Sequence, residues 1–200
     1  MTTSQRVLSR PAVFLDRDGV INRPKLRQGR PYPPASLDEL EIYPEASACL
    51  GRLQVAGFTL VVVTNQPDVA RGKQRREVVE EINQELSRQL PVTAVYVCFH
   101  DDADGCHCRK PAPGLLFDAA RDLGLDLGQS FMVGDRWRDV EAGRRAGCRT
   151  VHIDRHYSER SAELPDVVTT GLAEAVSWIE ASGYRRERWS GKSGGGAACG

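Results

Sequence analysis

The chain has 200 residues, 40% of them hydrophobic, and its 27 Lys and Arg residues equal its 27 Asp and Glu residues in number. This composition predicts one globular unit with a substantial core. Because the formal net charge is zero, no overall electrostatic attraction to nucleic acid or anionic membranes is expected. Residues 1–10 lack the apolar stretch of a signal peptide, and no apolar run reaches the roughly 20 residues of a membrane-spanning helix. We therefore expect a cytoplasmic monomer without nucleic-acid or membrane partners.

Five short apolar runs alternate along the chain with five segments of helical character. The runs predict buried strands at residues 12–15, 59–63, 94–97, 131–133 and 150–153. Helices are predicted over residues 44–55, 75–90, 113–123, 139–146 and 171–181, several of them followed by a glycine that can end a helix. This order predicts an α/β fold, a Rossmann-like parallel sheet flanked by helices, with ligands at the carboxyl ends of the strands.

Three segments do not fit this alternation. Residues 23–37 are basic and Pro-rich, and residues 99–113 are rich in Cys, His and Asp, so both are expected to be functional loops over the crevice. Residues 185–200 turn basic and then Gly-rich, which predicts a disordered tail. One globular domain is thus expected over residues 1–184.

Two aspartates, Asp16 and Asp18, directly follow the first predicted strand. An aspartate nucleophile suits phosphoryl transfer, because the acyl phosphate that it forms is readily hydrolysed. The second carboxylate can protonate the leaving oxygen and then activate water. By itself such a pair could also be an ordinary acidic turn.

Two carboxylates repel a phosphate group, so the site needs a cation. Asp135, at a later strand end, offers the hard oxygen ligand that Mg²⁺ prefers, and Asp139 could bind a metal water or orient Asp135 or Lys110. Thr64, Asn65 and Lys110 offer hydroxyl, amide and ammonium donors for the phosphoryl oxygens. Taken singly, each of these residues could instead belong to a turn, a helix start or the solvated surface.

In their order along the chain these residues resemble the four motifs of the haloacid dehalogenase superfamily. The motifs are Asp16-Arg17-Asp18-Gly19-Val20, Thr64-Asn65-Gln66, Lys110-Pro111 and Gly134-Asp135 with Asp139. The resemblance implies an Asp16 nucleophile, an Asp18 acid/base, and a phosphate bound by Thr64 and Lys110. It further implies Mg²⁺ held by Asp16, Asp135 and the backbone carbonyl of Asp18.

Within the superfamily, the segments 16–22, 64–66, 70–72 and 108–111 resemble the D-glycero-D-manno-heptose-1,7-bisphosphate phosphatases and their histidinol-phosphatase relatives. This resemblance implies a minimal cap and substrate binding by Asn22, Asn65 and Arg109, although Arg109 could merely pair with a surface acid. The chain departs from the family at residues 23–27, which are basic, and at Pro67-Asp68, where the family usually carries Ser-Gly.

The segment 98–108 carries Cys98, His100, Cys106 and Cys108, the donor set of a closed tetrahedral Zn²⁺ site. The same family shows this Cys-x-His and Cys-x-Cys pattern, which selects His100 over the competing His107. Because four protein ligands leave no open position, the zinc is expected to be structural and to staple the loop that carries Arg109. A reduced loop without metal is the alternative.

The residues together predict a Mg²⁺-dependent phosphomonoesterase for a small phosphorylated metabolite. We expect removal of the phosphate at position 7 of D-glycero-D-manno-heptose 1,7-bisphosphate first, and of histidinol phosphate second. A nucleic-acid 3′-phosphatase would need stacking aromatics, which form only 6% of the chain. The loss of an acidic motif residue would favour a catalytically silent, zinc-stapled binding module. All the acidic motif residues are present, so this alternative is disfavoured.

Overall fold

The computed structural model describes residues 10–183. The predicted tail at residues 185–200, and the ends of the predicted domain, lie outside the described residues. Within them, the α-helices are α1 (Ala46–Ala56), α2 (Arg76–Gln89), α3 (Gly114–Leu123), α4 (Trp137–Ala146) and α5 (Leu172–Ala181). The strands are β1 (Ala12–Leu15), β2 (Lys25–Arg27), β3 (Arg30–Tyr32), β4 (Thr59–Asn65), β5 (Ala94–Cys98), β6 (Phe131–Gly134), β7 (Arg149–Ile153) and β8 (Val167–Thr169).

Six of the strands form one parallel sheet in the order β5-β4-β1-β6-β7-β8. The chain builds outwards from β1 in one direction through β4 and β5, and in the other through β6, β7 and β8. This is the doubly wound arrangement, whose crevice opens where the strand order reverses, between β1 and β6. The predicted Rossmann-like sheet is confirmed, and its crevice lies at the carboxyl ends of β1 and β6.

Alternating side chains of the central strand β1 supply two separate cores. Val13 and Leu15 pack on the face covered by α1, α2 and α5, whereas Ala12 and Phe14 pack on the face covered by α3 and α4. All four are fully buried, which explains why the strand appears in the sequence as a continuous apolar run. No helix in the described range 10–183 is long and apolar enough to cross a membrane.

The segment 23–37, predicted as a loop, contains a small hairpin. Strands β2 and β3 pair antiparallel around Gln28 and Gly29, both with positive φ angles, of 50° and 72°. Two such residues are what a tight hairpin turn requires, but Gln-Gly is a weaker sequence signal than Asn-Gly. The hairpin is the minimal cap expected beside the crevice. Strand β8 was not predicted either, because it has only three residues and Val168 is half exposed.

Candidate active site

The two strands that flank the crevice each end at an aspartate. Asp16 follows β1, and its backbone N–H donates a hydrogen bond of 2.9 Å to the carbonyl of Val133 in β6. Asp135 follows β6 directly. The parallel pairing of β1 with β6 therefore brings together two carboxylates that lie far apart in sequence.

Lys110 is the central cation of this site and is only 2% exposed. Its Nζ donates to Asp16 Oδ1 at 2.7 Å, lies 2.6 Å from Asp139 Oδ1, and donates to the Val63 carbonyl at 2.7 Å. A buried ammonium is tolerated only when its charge and its three protons have partners, and here all three do. Asp139 also accepts a hydrogen bond of 3.0 Å from the backbone N–H of Arg136, which fixes it at the start of α4.

Three buried carboxylates converge beside Lys110. Asp16, Asp135 and Asp139 each offer an oxygen within 4.8 Å of the others. Burial raises the pKa of Asp16 to about 6, although the charge of Lys110 opposes this. Burial, and then the negative charges of Asp16 and Asp139, raise the pKa of Asp135 well above its usual value.

The oxygens of Asp135 differ in their surroundings. Its Oδ2 accepts a hydrogen bond of 2.7 Å from the Tyr157 hydroxyl, whereas its buried Oδ1 has no partner among residues 10–183. Hard carboxylate oxygens, of which one is buried and unpaired, fit a divalent cation such as Mg²⁺. The predicted ligands Asp16 and Asp135 are thus brought together; the part assigned to the backbone carbonyl of Asp18 stays a prediction.

Gly19 gives Asp135 the room that it needs. Its φ angle is +94°, and a Cβ atom at this position would lie 1.7 Å from Asp135 Oδ2 and 2.9 Å from the Tyr157 hydroxyl. Any side chain here would both strain the backbone and displace the carboxylate. The glycine of the first motif is therefore needed for the close approach of the β1 turn to Asp135.

The Asp18 carboxylate faces the crevice and is held by three neighbouring side chains. Asn22 Nδ2 donates to its Oδ1 at 2.9 Å, while Gln66 Nε2 and Arg17 Nη2 each donate to its Oδ2 at 2.9 Å. Asn22 is fully buried and does not line the crevice. In this arrangement Asn22 supports Asp18, and its predicted part in substrate binding stays a prediction.

Thr64 and Asn65, at the end of β4, differ in their hydrogen-bond partners. Both line the crevice, and Thr64 Oγ1 accepts a hydrogen bond of 3.0 Å from Gln66. The amide of Asn65 is paired on both sides with the backbone of Lys110, donating to its carbonyl at 3.0 Å and accepting from its N–H at 3.1 Å. Asn65 thus positions the segment that carries Lys110.

The crevice encloses a cavity of about 250 Å³. Its floor holds Asp16, Asp18 and Lys110, and its mouth carries five arginines, namely Arg30, Arg71, Arg109, Arg136 and Arg138. Three acids, Asp68, Asp102 and Glu159, line the cavity as well, so an arginine without a carboxylate partner is the one suited to meet an anionic group of a ligand.

Four of these arginines are already paired with carboxylates. Arg109 Nε donates to Asp102 Oδ1 at 2.8 Å, and Arg138 reaches the same oxygen at 3.2 Å. Arg71 pairs with Asp101, and Arg136 pairs with Glu159, each at 2.8 Å through Nε. The sequence left two alternatives for Arg109, a place in the substrate site or an ion pair with an acid. The structure shows both, because Arg109 lines the cavity and also pairs with Asp102.

The four residues predicted to bind zinc meet at one point. Sulfur to sulfur distances among Cys98, Cys106 and Cys108 are 3.3–3.7 Å, and His100 Nδ1 lies 3.3 Å from the Cys108 sulfur and 3.7 Å from that of Cys98. Zn–S bonds of about 2.3 Å in a tetrahedron place sulfurs about 3.8 Å apart, so the cluster has suitable dimensions. His107 points elsewhere, with its ring 77% exposed and 3.4 Å from Asp118.

Sequence reasoning missed three contributors to the site. Tyr157 lies in the loop between β7 and β8, and no local sequence pattern indicates that it contacts Asp135. Arg17 and Asn83 form a buried contact behind Asp18, with Arg17 Nη1 2.9 Å from Asn83 Oδ1. A polar Asn83 on the otherwise apolar buried face of α2 was the available signal.

Comparisons with known proteins agree with this geometry. The family model described as HAD-hydrolase-like matches residues 107–175. The D-glycero-beta-D-manno-heptose-1,7-bisphosphate 7-phosphatase of Photorhabdus laumondii is 32% identical over 85% of this chain and 95% of its own length. The crystal structure of D,D-heptose 1,7-bisphosphate phosphatase from B. bronchiseptica, complexed with magnesium and phosphate, aligns with a TM-score of 0.74 at 30% identity, covering 86% of this chain and 99% of that one.

A second solved structure shows the same likeness. A putative HAD-like phosphatase from Mesorhizobium loti aligns with a TM-score of 0.70 at 31% identity over 90% of each chain. The resemblance read from the four motifs is therefore confirmed by relatives that match nearly the whole described fold. The protein is a phosphatase of the haloacid dehalogenase superfamily and belongs to the family of the heptose-bisphosphate phosphatases.

Proposed function

We propose that this protein is a Mg²⁺-dependent phosphatase that removes the 7-phosphate of D-glycero-D-manno-heptose 1,7-bisphosphate through an aspartyl phosphate on Asp16. The observation that carries the proposal is the buried Lys110, which joins Asp16 to Asp139 at the floor of an arginine-rimmed cavity. The Photorhabdus laumondii and B. bronchiseptica relatives are named as heptose-1,7-bisphosphate phosphatases, which supports the same substrate here.

The first chemical step joins Asp16 to the phosphoryl group. A carboxylate oxygen of Asp16 attacks phosphorus, and the bond between phosphorus and the sugar oxygen breaks. Asp18 gives its proton to the departing oxygen, so that the sugar leaves as an alcohol. Lys110 and the Thr64 hydroxyl donate to the phosphoryl oxygens as charge shifts among them.

The second step regenerates Asp16. A water molecule attacks phosphorus of the aspartyl phosphate, Asp18 takes the proton of that water, and inorganic phosphate leaves with Asp16 again a carboxylate. Mg²⁺, held by Asp16 and Asp135, would offset the charge repulsion between these carboxylates and the phosphate. The unpaired Oδ1 of Asp135 is the observation that favours such an ion.

The arginines at the cavity mouth favour a substrate with a second anionic group. A bisphosphate can place one phosphate beside Asp16 and present the other to this rim, which includes Arg109. Histidinol phosphate has one phosphate and would present no second phosphate to these arginines. No observation in the described site favours that substrate, a nucleic-acid end or a silent module.

For the cysteine loop we propose a structural Zn²⁺ held by Cys98, His100, Cys106 and Cys108. The closely grouped donor atoms support this ligand set. Burial raises the pKa of Cys98 and of Cys108, so a cation is needed to keep both as thiolates. The metal would order the loop that positions Arg109 and Lys110. Cytoplasmic location, the monomeric state and the absence of nucleic-acid or membrane partners stay predictions.

Phosphate release with Mg²⁺ from a panel containing both anomers of the heptose bisphosphate, histidinol phosphate and sugar monophosphates tests the proposal. We expect the bisphosphate to be the best substrate, and Asp16→Asn to lower its turnover at least about 10³-fold because the nucleophile is gone. Asp38→Asn, an exposed change outside the cavity, is the matched control. Undiminished turnover in Asp16→Asn would contradict the aspartyl-phosphate mechanism.

A further inference from the structure

Arg17 separates the two aspartates of the first motif, yet its side chain points away from the cavity. It is 0% exposed and is among the largest fully buried side chains of residues 10–183. A guanidinium removed from water is costly unless its N–H groups are paired. The identity of its partners therefore indicates what Arg17 does.

Its partners are Asp18 on one side and Asn83 on the other. Nε and Nη2 donate to Asp18 Oδ2 at 3.2 and 2.9 Å, and Nη1 donates to Asn83 Oδ1 at 2.9 Å. Neither Arg17 nor Asn83 lines the active-site cavity. Their side-chain hydrogen bonds therefore reach the cavity through Asp18.

Asn83 is the polar member of the buried face of α2, whose other buried residues are Val78, Val79, Ile82 and Leu86. An amide on such a face lowers stability unless it is hydrogen-bonded, so apolar packing does not account for its presence. Because α2 packs against the sheet, Asn83 ties the orientation of the Arg17 guanidinium to the core. The planar guanidinium transmits that orientation to the carboxylate of Asp18.

We infer that Arg17 and Asn83 form a positioning pair that holds the Asp18 carboxylate in place for proton transfer. This inference rests on the proposed function, because it assigns a role in the acid/base step of the same site. The pair complements Asn22, in the same turn as Asp18, and Gln66, the residue after β4, which each donate a hydrogen bond to the Asp18 carboxylate.

The leaving group of the substrate separates this role from simple support of the fold. A sugar alcohol is a poor leaving group that needs the proton of Asp18, whereas p-nitrophenolate leaves without one. The constant kcat/KM reports on steps up to formation of the aspartyl phosphate. Loss of acid positioning should thus lower kcat/KM for the sugar phosphate selectively, and loss of folded protein should lower both equally.

The test uses Asn83→Leu, which keeps the size of the side chain and removes the acceptor. We expect kcat/KM to fall about tenfold or more for the sugar phosphate that the unmodified protein hydrolyses best, a part of the 10²–10⁴-fold that general acids contribute. For p-nitrophenyl phosphate we expect a fall of less than about threefold. Asn83→Asp keeps the acceptor and should restore most of the selectivity, and Gln84→Ala, an exposed change on the same helix, is the matched control.

A double-mutant cycle sharpens the assignment. If Asn83 acts through Asp18, then Asn83→Leu should change kcat/KM less than about twofold once Asp18→Asn is present. Arg17→Lys, which keeps the buried charge but cannot bridge both partners, provides a second variant should Asn83→Leu fold poorly. It should show the same selective loss.

Equal losses for both esters, or no loss for either, would overturn the positioning role. So would an undiminished effect of Asn83→Leu in the Asp18→Asn background. Failure of the proposed function has a different signature, since the unmodified protein would then release no phosphate from any ester with Mg²⁺.

Discussion

The Tyr157 hydroxyl donates a hydrogen bond of 2.7 Å to Oδ2 of Asp135, leaving Oδ1 of the same carboxylate without a partner in the described structure. Burial raises the pKa of Tyr157, so its hydroxyl stays protonated and can serve as a donor. One oxygen of Asp135 is thus anchored by protein, and the other is left for a cation. Such outer partners commonly orient a metal ligand.

Tyr157→Phe should therefore weaken Mg²⁺ binding. Loss of the hydrogen bond frees the Asp135 carboxylate to rotate, and we expect the Mg²⁺ concentration for half-maximal activity to rise about 10-fold. Thermal stabilisation by Mg²⁺ should shrink in parallel, which provides a readout independent of turnover. Tyr96→Phe removes a surface hydroxyl that contacts Asp122, and it should change neither quantity.

The raised pKa of Asp16 predicts a pH dependence of stability in the Mg²⁺-free protein. The folded-state pKa is about 6 against 3.8 for the free side chain, so the folded state binds more protons than the unfolded state between about pH 4 and pH 6. The free energy of unfolding should thus fall as pH rises through this window, by up to ~3 kcal/mol from Asp16.

Thermal melts of Mg²⁺-free protein between pH 4.5 and pH 7 check this expectation. Because Asp16→Asn removes the titrating group, the difference in Tm between the variant and the unmodified protein should grow in favour of the variant as pH rises. Asp38→Asn supplies the control for loss of a surface charge. Parallel curves for Asp16→Asn and the unmodified protein would contradict the raised pKa.

Zinc content tests the proposed ligand set of the cysteine loop. Cys106→Ser and His100→Gln should each lower bound zinc below about one half per chain and lower Tm by several degrees, because metal binding orders the loop. His107→Gln lies one residue from a ligand but faces Asp118, so its zinc content should match the unmodified protein. Full zinc content in Cys106→Ser would remove the four-ligand proposal.

The arginine rim should discriminate between bisphosphate and monophosphate substrates. Arg30, on the cap hairpin, lines the cavity mouth and has no ion-pair partner within residues 10–183, so it is free to meet a second phosphate. Arg30→Ala should raise KM for the bisphosphate about 10-fold or more, since a charge-assisted contact is worth roughly 1.5–3 kcal/mol.

The same variant should leave KM for a sugar monophosphate nearly unchanged. Arg27→Ala is the matched control, because Arg27 lies on the same hairpin, stacks on the Tyr32 ring and does not line the cavity. Equal changes of KM for both substrates would show that Arg30 does not bind the second phosphate.

The sequence by itself determined the parallel sheet, the order of its elements and the chemistry of the site. Apolar runs such as residues 12–15 are buried on both faces and therefore stand out locally, and Asp16, Thr64 and Asp135 lie at or just after the ends of such runs. Short or half-exposed elements, namely β8 and the cap hairpin, carry too few apolar positions to be recognised in this way.

Only the tertiary structure decided how the acids and cations are partnered. Arg17 and Asn83 are 66 residues apart, and Asp135 and Tyr157 are 22 apart, so no local pattern could pair them. Arg109 likewise pairs with Asp102 because the fold of the cysteine loop brings these two side chains together. A sequence names residue types and their order, whereas burial, hydrogen bonding and charge depend on which side chains the fold brings within about 3 Å of one another.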